Sequence, residues 1–170
     1  MNLYDQSIAL YRTRLAMLSG LLAKAEAHEK GEALLSAALA PDMFPLGKQV
    51  RMLANFPGDA IARMTDRSFV GSEEAVTSFA EAKAAIAETT ALLDSVEVSE
   101  LCSADAPIVI ALPNGMEFTM TAEQYVRDWS LPNFYFHLTT AYAILRAEGL
   151  AIGKIDFLPH MMPYMTKGPS

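Results

Sequence analysis

Tyr4, Ile8, Tyr11, Leu15, Leu18, Leu22 and Ala25 recur at alternating steps of four and three. That rhythm is α-helical and lays one apolar stripe along one side of a helix. Leu10, Met17 and Leu21 flank the stripe and make it wider than a coiled-coil seam. The pattern predicts a helix from about Leu3 to His28, stopping near Gly31 and roughly 40 Å long at 1.5 Å per residue. An apolar face this broad is expected to serve a bundle core and, through Leu10, Met17 and Leu21, part of a two-fold homodimer contact.

The rest of the chain supplies partners for that helix. Asp42 is placed as the N-cap of a second helix carrying Leu46, Val50, Leu53, Ile61 and Met64, with a bend at Pro57-Gly58. Ser72 followed by Glu73 and Glu74 reads as the start of a third helix, with Val76, Phe79, Ala82, Ile86, Thr90 and Leu93 facing inward. Ile108, Ile110 and Leu112 alternate, as do Met116, Phe118 and Met120, about an Asn114-Gly115 turn, which predicts a short β-hairpin. Thr121 and Gln124 form a capping-box pattern that opens the last helix. That helix is expected to run to about Glu148, with Trp129, Phe136, Thr140, Ala143 and Ala147 in line and a break at Pro132. Residues 150–170 read as an extended tail docked through Phe157 and Leu158, and the ten methionines read as adaptable core filler. The fold class is all-α: a four-helix bundle with a small hairpin before the last helix, in a single domain of residues 1–170.

Composition excludes several functions. The chain of 170 residues is 52% hydrophobic and 19% charged, which rules out intrinsic disorder. Its net charge of −7 has the wrong sign for a nucleic-acid binder. One cysteine, Cys102, excludes an intramolecular disulfide and a cysteine-cluster metal site. Asp5, Arg12 and Arg14 read against a secretory leader, and no apolar run is long enough for a membrane span. The expected location is the cytoplasm.

Few polar residues fall where the bundle interior should be, which singles them out. His137 follows Asn133 by four residues, so both project from one side of the last helix. Gln49 lies on the inward side of the second helix, and Asp42 at its start. Three readings of His137 stay open: a core histidine bonded to Asn133 or Gln49, the polar group of a small-molecule pocket, or a metal ligand. No phosphate-binding glycine loop, His-Glu-x-x-His run or nucleophile elbow is present.

Two segments carry a family resemblance: Leu39–Leu46 with Gln49-Val50, and Leu131–His137 running into Thr139–Arg146. They resemble a bacterial domain family of unknown function within the DinB/YfiT-like superfamily of metalloenzyme-type bundles. The resemblance implies up-down-down-up topology, frequent homodimers and, in better-known relatives, a divalent metal held by three histidines. One of those stands on the second helix and two form a His-x-x-x-His pair on the fourth. Some relatives transfer low-molecular-weight thiols or isomerise thiol adducts. Here His137 fits the second member of the pair, Asn133 replaces the first, and Gln49, Met52 or Asn55 stands near the remaining position. An amide oxygen replaces imidazole poorly on zinc or nickel. The expectation is therefore a degenerate metal cleft with no tightly bound cofactor, a divalent metal remaining an option through His137. Such a cleft would hold a small ligand, with His137 as hydrogen-bonding or acid–base group, Asn133 orienting it, and Gln49 and Asp42 adding polar contacts. The alternatives are a non-catalytic homodimeric binding or stress-response module, and a divalent-metal-dependent thiol transferase or isomerase.

Overall fold

The computed structural model describes residues 2–168. The opening stripe folds as two helical pieces, α1 (Leu3–Gln6) and α2 (Ile8–Glu26). Between them Ser7 leaves helical geometry, and its hydroxyl donates to the Leu3 carbonyl at 2.6 Å. Ile8, Tyr11, Leu15, Leu18, Leu22 and Ala25 are all buried, as the periodicity requires. Met17 and Leu21 are also interior, at 2% and 1% exposure. The surface expected to make a homodimer is thus largely inside this chain's own core.

Helix α3 (Leu46–Met64) begins later than the sequence suggested. Pro45 holds the N-cap position and Asp42 is exposed ahead of it. Proline disfavours helical geometry in the residue before it, so the helix cannot include Phe44. The helix then continues through Pro57 as one element rather than ending there. The Phe69 ring packs against Gly58, and the Thr89 hydroxyl donates to the Ala54 carbonyl at 3.0 Å, beside the point where proline disturbs the ladder.

The third helix, α4 (Phe79–Asp94), starts at Ser78, whose hydroxyl accepts from the Glu81 amide at 3.1 Å. Ser72 is not its cap. Residues 65–78 instead form a crossover running back along α3. Asn55 donates to the Ser72 carbonyl, Arg51 to that of Glu74 and Lys48 to that of Glu73, while the Val76 amide donates to Gly47. The partners climb α3 from its middle to its first turn, so α4 starts where α3 starts and the two helices are parallel. Phe79, Ala82, Ile86 and Leu93 are buried as the spacing predicts, and Thr89 rather than Thr90 joins them on the inward side.

The two strands β1 (Pro107–Ala111) and β2 (Glu117–Thr121) pair antiparallel, with Ile110 opposite Phe118. Ile108 and Ile110 are buried, whereas Met116 and Phe118 are exposed, Phe118 leaning on Trp129. Gly115 takes the positive φ of 84° that the turn demands. The Thr121–Gln124 capping box forms and opens α5 (Ala122–Gln124), which leads through a π-helical segment (Tyr125–Ser130) into α6 (Leu131–Ala147). Pro132 is the second residue of α6 and follows the π-helical segment without a break, so its missing N–H falls inside a continuous helix. Phe136 is exposed, so the line from Trp129 to Ala147 is not the buried one; Phe134, Leu138, Ala141, Ile144 and Leu145 are.

Long-range contacts fix the bundle order. Tyr11 bonds Ser130 at 2.5 Å and Arg14 bonds Tyr135 at 2.9 Å, so α2 and α6 run the same way. Arg12 meets Asp94, and Lys83 meets Glu26, so α4 runs opposite to α2. Gln49 reaches His137 while Arg63 lies over the Tyr125 ring, so α3 also opposes α6. The topology is up-down-down-up. The tail is more ordered than an extended strand: α7 (Lys154–Phe157) packs Phe157 on Tyr142, and a 3-10 turn (Pro159–Tyr164) follows. Met17 and Met64 do fill the core, but Met161, Met162 and Met165 lie exposed. Among the described residues no helix is long and apolar enough to cross a membrane.

Candidate functional site

The antiparallel packing of α3 on α6 brings Gln49 across from His137. Gln49 is 1% exposed and His137 8%. A buried amide and imidazole need partners, and they supply them for each other. The Gln49 Nε2 donates to the Phe44 carbonyl at 3.0 Å, which fixes its Oε1 towards His137. The His137 Nδ1 lies 2.7 Å from that oxygen. Since an amide oxygen only accepts, Nδ1 carries the proton and Nε2 keeps its lone pair. Burial holds the His137 pKa below the ordinary 6.5, so the ring is neutral at neutral pH.

The histidine borders a small cleft of about 220 Å³, lined by Asp42, Met43, Phe44, Gln49, Phe136 and His137. The Phe44 and His137 rings lie within 13° of parallel, with centroids 6.5 Å apart. Phe136 meets the imidazole edge-on at 5.4 Å, and Phe56 tilts against it at 5.4 Å. The Nε2 has no hydrogen-bond partner among the described residues and is not sealed from solvent. The cleft therefore offers one neutral acceptor, one exposed carboxylate and aromatic walls.

Three of the four residues singled out from the sequence meet here: His137, Gln49 and Asp42. Asn133 does not orient His137. Its Nδ2 donates to the Trp129 carbonyl at 2.7 Å, because the π-helical segment and Pro132 disturb the backbone bonds just ahead of it. Asp42 contributes as a wall of the cleft rather than as a helix cap. The aromatic walls Phe44 and Phe136 were not identified as site residues. Phe44 shows no periodic signal because it precedes the helix, and Phe136 was assigned to the core.

The three-imidazole metal set implied by the superfamily does not fit these residues. The Gln49 oxygen is committed to the His137 Nδ1 proton and its nitrogen to Phe44, while the Asn133 nitrogen is committed to Trp129. Among the described residues no group of three His, Cys, Asp or Glu side chains is placed to hold a metal ion.

A family model described as a domain of unknown function, DUF1993, matches residues 3–158. Among solved structures, a DinB family member protein from Shewanella denitrificans matches with a TM-score of 0.81 and 31% sequence identity. The match covers 98% of this chain and 96% of that one. No curated protein matches.

Proposed function

The chain belongs to the DUF1993 family of DinB-like bundles, and from that premise we propose that the cleft at His137 binds a small molecule through the imidazole Nε2. The carrying observation is the Phe44–Gln49–His137 relay, which holds the proton on Nδ1 and leaves a lone pair on Nε2 beside a cleft. A histidine serving only the core would have both nitrogens bonded or sealed. A fixed tautomer with an unpartnered acceptor suits hydrogen-bond recognition, and it also suits proton abstraction from a bound molecule.

The test is a fragment screen by NMR on the full chain, reading the His137 ring signals. A ligand of this site should shift them at pH 7.5. Its binding should fall away as the pH drops through the histidine's lowered pKa, because protonation removes the accepting lone pair. His137→Leu, followed through the signals of the ligand, should lose binding at all pH values. Ligands that bind identically to the His137→Leu variant would overturn the proposal.

A homodimeric binding module is the second reading. Its support is the exposed apolar residues Leu39 and Phe136, at 44% and 59%, with Met161 and Met165 on the tail. Sedimentation should then show a two-chain species that Leu39→Ser with Phe136→Ser dissolves. A single-chain species at micromolar concentration would remove this reading.

A further inference from the structure

The lining of the His137 cleft restricts the class of molecule it can take, an inference that rests on the proposed function of the same cleft. We infer that its ligand is a small planar ring bearing an N–H or O–H donor and no negative charge.

Size sets the first limit. The cleft of about 220 Å³ holds one or two fused rings, and a nucleotide or coenzyme would have to extend past Phe136 onto the adjoining surface lined by Leu39 and Thr139. Shape sets the second. Phe44 and Phe136 are 49% and 59% exposed on either side of the buried imidazole, an unusual amount of aromatic surface to leave in water beside a polar atom. Such surfaces gain most from another ring, which stacks on or meets them edge-on with centroids about 4.5–7 Å apart. The near-parallel Phe44 and His137 rings set the plane in which a third would lie.

Charge and hydrogen bonding set the remainder. Beside the Asp42 carboxylate, the unpartnered side-chain polar atom among the described residues lining the cleft is the His137 Nε2, which accepts and cannot donate in this tautomer. A ligand that presents only acceptors would leave both groups unpaired. Among the described residues no lysine or arginine lines the cleft, and the exposed Asp42 forms part of its wall. Lys48 lies over the Phe44 ring, but its ammonium is turned to the Glu73 carbonyl and carboxylate. A carboxylate, phosphate or thiolate would enter beside Asp42 with no cation among the lining residues to meet it. Acidic thiol cofactors are therefore poor ligands for this chain, whatever its relatives use.

The test compares indole, 1-methylindole, indole-3-carboxylate and cyclohexanol on the full-length protein, again through the His137 ring signals. Indole should bind. 1-Methylindole keeps the plane and loses the donor, and should bind about tenfold more weakly, the size of one hydrogen bond left unmade. Indole-3-carboxylate should bind more weakly still. Phe136→Leu should weaken indole severalfold while leaving the Nδ1-protonated tautomer of His137 unchanged, which separates a lost wall from a disturbed site. Equal binding of indole and 1-methylindole, or tighter binding of the carboxylate, overturns the inference. If cyclohexanol shifts His137 and indole does not, the planar class fails while the small-molecule proposal stands. If no member of this panel and no fragment of the wider screen shifts His137, both fail.

Discussion

Gly47→Ala is expected to destabilise the protein by about 2 kcal/mol, whereas Gly20→Ala should stabilise it by roughly 0.5–1 kcal/mol. Both glycines sit on α-helices, where alanine is intrinsically the better residue. The difference is what surrounds them. A Cβ at Gly20 meets nothing within 4 Å. A Cβ at Gly47 runs into the carbonyl oxygen of Val76 and lies 3.3 Å from that of Leu35. Both obstacles are backbone, so neither can swing aside as a side chain would. The collision falls where the Val76 amide bonds the Gly47 carbonyl and pins the crossover to the first turn of α3. Relief would move residues 65–78 away from α3 and loosen the start of α4. Urea denaturation should show the two variants shifting the midpoint in opposite directions. Equal shifts for both would mean that the crossover does not pack on α3 as described.

The same crossover shows where a sequence stops informing about a fold. The stripes of α2 and α3 were legible because each helix keeps one phase against one core, and their buried residues are those that the spacing marks. For α4 the cap expected from the sequence is Ser72, and the cap in the structure is Ser78, six residues later. Only the tertiary partners Asn55, Arg51 and Lys48, which hold the intervening segment extended, decide for the second. Moving that start lengthens the link between α3 and α4 to fourteen residues, 65–78. Such a link reaches about 46 Å when extended, against about 28 Å for α3 itself. That length permits the parallel arrangement, and the contacts of the crossover with α3 fix it.

Along the continuous helical stretch from α5 to α6 the periodicity misled for a different reason. The buried residues Ala122, Val126, Ser130, Phe134 and Leu138 recur strictly every four positions. A regular α-helix drifts off such a repeat within two turns, and the π-helical segment makes up the difference. A line drawn from Trp129 at ordinary helical spacing therefore ends on the outer side and takes Phe136 with it. The candidate site was legible in its polar core, since Gln49 and His137 were marked by being polar on inward positions. The choice between Gln49 and Asn133 as partner was not. Both amides lie within reach by spacing, and it is the disturbed backbone at Trp129 that claims Asn133.

That division of labour between two amides sets an expectation for metal binding. Wild-type protein purified without added metal and dialysed should carry much less than one zinc, nickel or iron per chain. A tight site needs about three protein ligands at fixed geometry, with zinc–nitrogen distances near 2.0–2.1 Å. His137 is one imidazole, and the atoms that would have to join it are engaged elsewhere. Asn133→His alone should gain little, because it gives up the bond to the Trp129 carbonyl and still supplies only a pair. Gln49→His with Asn133→His should raise zinc binding to about one per chain. The Gln49 side chain already ends 2.7 Å from the His137 ring, and residue 133 stands one helical turn before it on α6. Two nitrogens on a tetrahedral ion sit about 3.4 Å apart, so a modest separation of residues 49 and 137 would admit the metal. His137→Ala in that double variant should release it. Elemental analysis of these four proteins and of the single His137→Ala variant reads the outcome directly. One tightly held transition metal per wild-type chain, lost on His137→Ala, would show that the Gln49–His137 pair opens to form a metal site.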